Sequence, residues 1–132
     1  MLDWQNAGSH ELHLQVVLNL IFRKHSKLLE FLFEINKPRL CAEPRILLAE
    51  SGGFSSGEQL LIRIALDIWD GSGNARISDI IKSLDDENFR NVLASIWNLR
   101  SFEERGEHFV WRQLKLDGSS EQHFLKSESS ST

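Results

Sequence analysis

The stretch "FSSGEQLLIRIALDIWDG" (54–71) decides how the rest of the chain is read. Ser55-x-x-Glu58 and Ser56-x-x-Gln59 both have the spacing of a capping box. In that motif a hydroxyl accepts from a helix N–H while the acid or amide three residues on accepts from the cap's own N–H. The apolar residues that follow, Leu60 to Ile62, Ile64 to Leu66, Ile68 and Trp69, cover most of a helical circumference. This predicts a helix over 58–69 that is buried on nearly all sides, and therefore central. Gly52 and Gly53 allow the turn before it, and "DGSGN" (70–74) ends it.

A central helix needs neighbours. Residues 1–8 read as a lead-in, and Ser9 is a plausible N-cap with Glu11 favourable in the first turn. From there "HELHLQVVLNLIFRKHSKLLEFLFEIN" (10–36) contains neither Gly nor Pro. Leu14, Leu18, Ile21, His25, Leu28, Leu32 and Ile35 alternate steps of four and three, one seam along a helix. A period-two pattern competes in Leu12, Leu14, Val16, Leu18, Leu20 and Phe22. The unbroken length favours one long helix over 9–36, with a bend near 24–26. Its apolar face is broader than one neighbour can cover, so a homodimer through 9–36 is expected.

Pro38 and Pro44 enclose a connection, and "RILLAE" (45–50) reads equally as a short strand or a helical turn. Beyond the 70–74 break a helix over 78–84 turns Ile77, Ile80, Ile81 and Leu84 inward. A further helix over 87–99 starts at Asp85 or Asp86, with Phe89, Val92, Leu93 and Ile96 as its buried stripe and Trp97 at the margin. "SFEERGEHFVWRQLKL" (101–116) reads as a hairpin turning near Arg105 and Gly106. The remainder, 117–132, is a Ser- and Glu-rich tail expected to be disordered. The fold class is thus mainly α: a small domain over 1–116 with one long N-terminal helix, a three-helix unit and a C-terminal β-hairpin.

Composition narrows the function classes. The chain has 132 residues, 41% hydrophobic and 26% charged, enough for one domain with a real core. A net charge of -4 gives no footprint for non-specific nucleic-acid binding. Cys41 is the one cysteine, so no intrachain disulfide forms, and a reducing, cytoplasmic location is expected. "MLDWQNAGSHEL" lacks the pattern of a secretory signal, and no apolar run reaches the ~18 residues of a membrane span.

Four motifs carry sharper readings. Gly52-x-x-x-x-Gly57 has the outline of a P-loop, but Glu58 and Gln59 stand where Lys and Ser or Thr are needed, which reverses the electrostatics. "FSSGEQLLIRIAL" also resembles the signature motif of ABC-type ATPases, which implies that Ser55, Ser56 and Gly57 would face a nucleotide on a partner domain. The family's phosphate-binding loop is absent from the chain. "DGSGNARISDII" (70–81) resembles an EF-hand loop, which implies calcium ligands from Asp70, Ser72 and Asn74 and from the Arg76 carbonyl. Ala75 replaces the turn glycine there, and Ile81 replaces the closing Glu. An Asx-type turn explains the same residues.

The order of three helices and a hairpin over 58–116 resembles a winged-helix domain. That likeness implies a DNA-reading third helix, with Asn88, Arg90 and Asn91 contacting DNA and Arg105 and Arg112 helping from the wing. Glu87, Ser95 and Asn98 complete the exposed set of that reading, and the acids Asp85 to Glu87 oppose it. His10 and His13 form at most a metal half-site. His25 in an apolar seam reads as a core or edge residue, and Cys41 as a small core residue.

No catalytic set is identifiable, and no cofactor is expected. The leading expectation is a non-enzymatic interaction or regulatory module of adaptor, inhibitor or immunity type. Its surface would be Asp85, Asp86, Glu87 and Arg90 with Trp97 and Phe102, facing a protein partner. A winged-helix transcription regulator is the alternative, and a degenerate EF-hand-like, calcium-responsive module comes third.

Overall fold

The computed structural model describes residues 1–105, with side chains as far as Phe102. Among these lie six α-helices: α1 (Ser9–Ile21), α2 (Ser26–Leu32), α3 (Pro44–Glu50), α4 (Ser56–Asp70), α5 (Ile77–Ser83) and α6 (Asp86–Arg105). A single 3-10 turn, Ser51–Gly53, joins α3 to α4. The mainly helical expectation holds.

Helix α4 is the centre of the core, with Leu60, Leu61, Ile62, Ile64, Ala65 and Leu66 all buried. The first capping box forms as the spacing predicts. Ser55 N–H donates to Glu58 Oε1 at 3.0 Å, and Glu58 N–H donates to Ser55 Oγ at 3.2 Å. The second box does not form, because Gln59 turns back to donate to the Phe54 carbonyl at 2.8 Å. At the other end Gly71 takes the left-handed conformation (φ 81°) that closes a helix at least cost.

The chain then folds back along α4. Asp67 accepts from the Asn74 and Ala75 N–H groups at 2.9 and 2.8 Å, and Arg63 Nη1 donates to the Gly73 carbonyl at 2.9 Å. Gly73 sits so close that a Cβ there would lie 1.7 Å from the Arg63 carbonyl oxygen. Only glycine fits this crossing.

The single long helix over 9–36 is broken in two. Helix α1 stops at Ile21, the Arg23 N–H shifts to the Leu20 carbonyl (3.3 Å), and His25 leaves the helical conformation (φ -133°, ψ 54°) as the N-cap of α2. No Pro or Gly marks the site. The cause is the demand for burial: Leu20, Ile21, Phe22, Leu28, Leu29, Leu32 and Phe33 are all buried, including three consecutive residues. A straight helix turns consecutive side chains ~100° apart, so one face cannot hold them all. Breaking the helix lets both halves pack on α4. Most of the apolar face of 9–36 is thereby buried within the chain, with Leu12 keeping 42% of its surface in solvent.

Residues 45–50 are helical in α3, with Pro44 at its first turn, where a missing N–H costs nothing. Residues 33–41 form a tight return closed by an isolated Phe33–Leu40 bridge and a Glu34–Arg39 ion pair. The Arg39 guanidinium, through its hydrogen bond, holds the Glu34 carboxyl below its ordinary value.

Residues 1–8 are not a loose lead-in. Leu2 and Trp4 are buried, and the Asp3 and Gln5 N–H groups donate to the carbonyls of Ile35 (2.8 Å) and Asn36 (2.9 Å). Asn19 and Gln15 on α1 accept from the Leu2 and Trp4 N–H groups. Gly8, not Ser9, caps α1, and its N–H donates to Glu11 Oε1 at 3.0 Å. The Trp4 ring meets Phe33 and Trp69 edge to face, with centroids 6.0 and 5.8 Å away, and Phe33 meets Trp69 at 5.3 Å. Trp4 Nε1 also donates to the Glu34 carbonyl at 2.9 Å.

Two further expectations fail. Helix α5 buries no residue, so Ile77 and Ile81 face outward instead of inward. Helix α6 runs unbroken to Arg105, so the first arm of the hairpin expected from residue 101 is helical. No strand occurs among the described residues, and the second arm and the tail over 117–132 lie outside them.

Trp4→Ala tests whether the N-terminal segment belongs to the core. The expected loss is about 3–5 kcal/mol of unfolding free energy in a urea titration. A change below about 0.5 kcal/mol, the usual size for an exposed site, would return residues 1–8 to the status of a lead-in.

Candidate interaction surface on helix α6

Helix α6 begins at Asp85, whose Oδ1 accepts from the Asn88 N–H at 2.8 Å, the capping role its position predicts. Glu87 reaches across to Lys24 Nζ at 2.6 Å and ties the helix start to the break between α1 and α2. Both groups are exposed, so the pair contributes little by itself. Along its length α6 packs chiefly on α1.

The face it presents to α1 is not the one its apolar residues define. Val92, Ser95, Asn98 and Ser101 are buried, in steps of three. Leu93, Ile96 and Trp97 keep 39, 49 and 38% of their surface in solvent. Of the expected buried stripe, only Val92 is fully inside and Phe89 is half-buried. The helix is thus rolled by about a third of a turn from the orientation its hydrophobic pattern favours.

The polar contact with α1 is imperfectly satisfied. Ser95 Oγ donates to the Asn91 carbonyl of its own helix at 2.7 Å. Asn98 is 1% exposed, yet neither its amide nitrogen nor its oxygen has a hydrogen-bond partner among the described residues. A buried amide left unmatched costs about 1–3 kcal/mol. What holds this end in place is aromatic: Phe102 stacks on the buried His13 ring, centroids 4.1 Å apart and planes 14° apart, with His10 at 6.2 Å.

This placement sorts the candidate residues. Asp85 caps the helix, Glu87 pairs with Lys24 and Phe102 stacks on His13, and Asp86, Arg90 and Trp97 each keep part of their surface in solvent. The sequence missed Leu93 and Ile96 as surface residues because amphipathic periodicity assigns them to the core. The one signal was the row Ser95, Asn98 and Ser101, small polar residues on one face.

The DNA-reading set does not assemble. Ser95 and Asn98 are shut against α1, Asn88 and Asn91 are half-buried, and Arg105 belongs to α6 instead of a wing. Arg112 lies outside the described residues.

The 70–81 loop is held by its own bonds. Asp70 Oδ1 accepts from the Ser72 N–H at 3.0 Å, the Asx turn. The Arg76 carbonyl accepts from the Asp79 and Ile80 N–H groups as the start of α5, and Asn74 sits at φ 54° with its N–H on Asp67. No cluster of three or more His, Cys, Asp or Glu side chains that could hold a metal occurs among the described residues.

The 54–58 turn is likewise committed to its helix. Ser55, aligned with the nucleotide-facing serine of the ABC signature, is occupied by the capping box. Hydrogen bonds from the Ser55 backbone and side chain, with a smaller contribution from His25 (3.9 Å away), hold the Glu58 carboxyl below its ordinary value. Its contribution to stability is therefore present above the unfolded carboxyl's pKa and is lost as the pH falls through the lower folded value. Cys41 is exposed, not a core residue. Partial burial of the thiol and then the Glu34 charge push its pKa up, the wrong direction for a reactive thiolate.

No helix among the described residues is long and apolar enough to cross a membrane. No protein-family model, curated protein or solved structure matches the chain.

Replacing Asn98 with Leu, which has the same branching without the amide, is expected to raise unfolding free energy by about 1–3 kcal/mol. Denaturant unfolding of Asn98→Leu beside the parent chain reads this directly. A loss of stability would show that the amide is hydrogen-bonded in place.

Proposed function

We propose that the protein is a non-enzymatic interaction module of adaptor or regulatory type, and that helix α6 carries its binding face. The supporting observation is the roll of α6, which leaves Leu93, Ile96 and Trp97 outside while Ser95 and Asn98 go inside. Surface hydrophobes scattered singly need no explanation, but three within two turns of one helix form a docking stripe. Its rim is charged, with Asp86 before it, Arg90 beside it and Arg100 after it, as protein-facing patches commonly are. The acids that cap the helix serve the fold first, and the apolar row supplies the binding energy.

The double variant Leu93→Glu/Ile96→Glu tests this reading. Both positions are already wet, so the melting temperature is expected to stay within about 4 °C of the parent's. Proteins retained specifically by the immobilised parent chain are expected to be lost from the variant. An identical retained set for parent and variant would overturn the assignment of α6 as the binding face.

A further inference from the structure

We propose that the strip of α1 beneath α6 is a seat for an amphipathic helix of a partner protein, and that α6 fills it as a stand-in which such a helix displaces. The outer row of α6 plays no part in this, so it stands or falls apart from the reading above.

Two contacts fix how the helices lie. Phe102, late in α6, stacks on His13 near the start of α1. Glu87, at the opening of α6, pairs with Lys24 just past the end of α1. The two helices therefore run antiparallel. Residues four and seven apart share one face of a helix. Counting forward from His13 by those steps reaches Val17 and Leu20, both buried. Counting back from Phe102 reaches Asn98 and Ser95, also buried. Asn98 is thus set at the level of Val17, and Ser95 at the level of Leu20.

That register gives the physical reason for the unmatched amide. Val17 and Leu20 carry no polar side-chain atoms, and backbone groups in the middle of a helix are bonded within it. Asn98 consequently finds neither donor nor acceptor, and Ser95 Oγ turns back to the Asn91 carbonyl. An apolar strip is filled by a polar face. The strip suits a different helix better, one with large apolar residues where α6 carries Ser95 and Asn98. An aromatic four residues after the second would stack on His13, and an acid eight residues before the first would meet Lys24. Such a helix keeps both end contacts and removes the mismatch between them. Its rival is tethered, with an effective concentration on the order of millimolar for a short linker. Polar groups buried against α1 weaken that rival and bring displacement within reach.

Hydrogen exchange of the isotope-labelled full chain, read amide by amide with an unlabelled peptide present, tests the displacement. The probe is a synthetic peptide of residues Asp86–Arg105 carrying Ser95→Leu and Asn98→Leu, with Leu93→Gln and Ile96→Gln to silence the outer row. At about a millimolar peptide, α6 amides of the full chain are expected to exchange about tenfold faster or more, while those of α4 keep their protection. A peptide with the two outer changes alone is expected to alter the α6 rates by less than about threefold. Asn98→Leu in the full chain makes α6 a matching occupant and is expected to reduce the probe's effect about tenfold. Unchanged α6 protection at that peptide concentration overturns the seat. Loss of protection in α4 together with α6 means that the domain opens as a whole, and overturns α6 as a separately displaced occupant. Equal effects from the two peptides overturn the mismatch as the basis of the displacement.

Discussion

A helix that is apolar around most of its circumference has to be wrapped, and α4 imposes that requirement on everything else in the domain. Helices α1 and α2 lie against it, and α3 reaches it through the 3-10 turn. The loop after it is pulled back by Asp67 and Arg63 until Gly73 touches its backbone. The break at 22–25 follows from the same demand, because a continuous helix over 9–36 would turn Leu20 about 160° away from Phe22, and both are buried. Even the first residues are drawn in, with Trp4 filling the gap between Phe33 and Trp69. Fully burying a side chain of this size is worth about 1.5–3 kcal/mol, more than ordering a short segment's side chain costs.

Helix α6 stands outside this requirement. It is the longest helix among the described residues, but it packs chiefly on α1, and the residues it buries are Val92 with two serines and an asparagine. Two costs are stacked in that choice: an amide buried without a partner, and hydrophobic surface left in water. The stacked His13 and Phe102 rings hold its C-terminal part against α1, so the exposed row is presented on a helix instead of a loop. Rigid presentation lowers the entropy lost on association.

What could be read in advance divides along the same line. The cap at Ser55 and Glu58, the central position of α4, the stop at Gly71 and the Asx turn at Asp70 were legible, because each rests on contacts within a few residues. The break at His25 was legible only as a bend, since it depends on how many neighbours the helix must face and not on a Pro or Gly. Trp4 was invisible because its partners Phe33, Glu34 and Trp69 are far away along the chain. The inward face of α6 was misread for a different reason. Periodicity gives the apolar side of a helix, and burial equals that side only when a hydrophobic neighbour is there to receive it. Among the described residues α1 receives Ser95, Asn98 and Ser101 instead. The first arm of the hairpin failed where α6 simply continued through residues 101–105.

The orientation of α6 is the claim on which the functional account stands, and thiol accessibility tests it residue by residue. Single cysteines would be introduced as Ser95→Cys, Ile96→Cys, Trp97→Cys and Asn98→Cys in a Cys41→Ser background and labelled in dilute solution. Ile96→Cys and Trp97→Cys are expected to react readily in the folded chain. Ser95→Cys and Asn98→Cys should be protected until the helix opens. Protection at 96 and 97 with free reaction at 95 and 98 would mean that α6 packs through its apolar face, and the proposed binding surface would not exist.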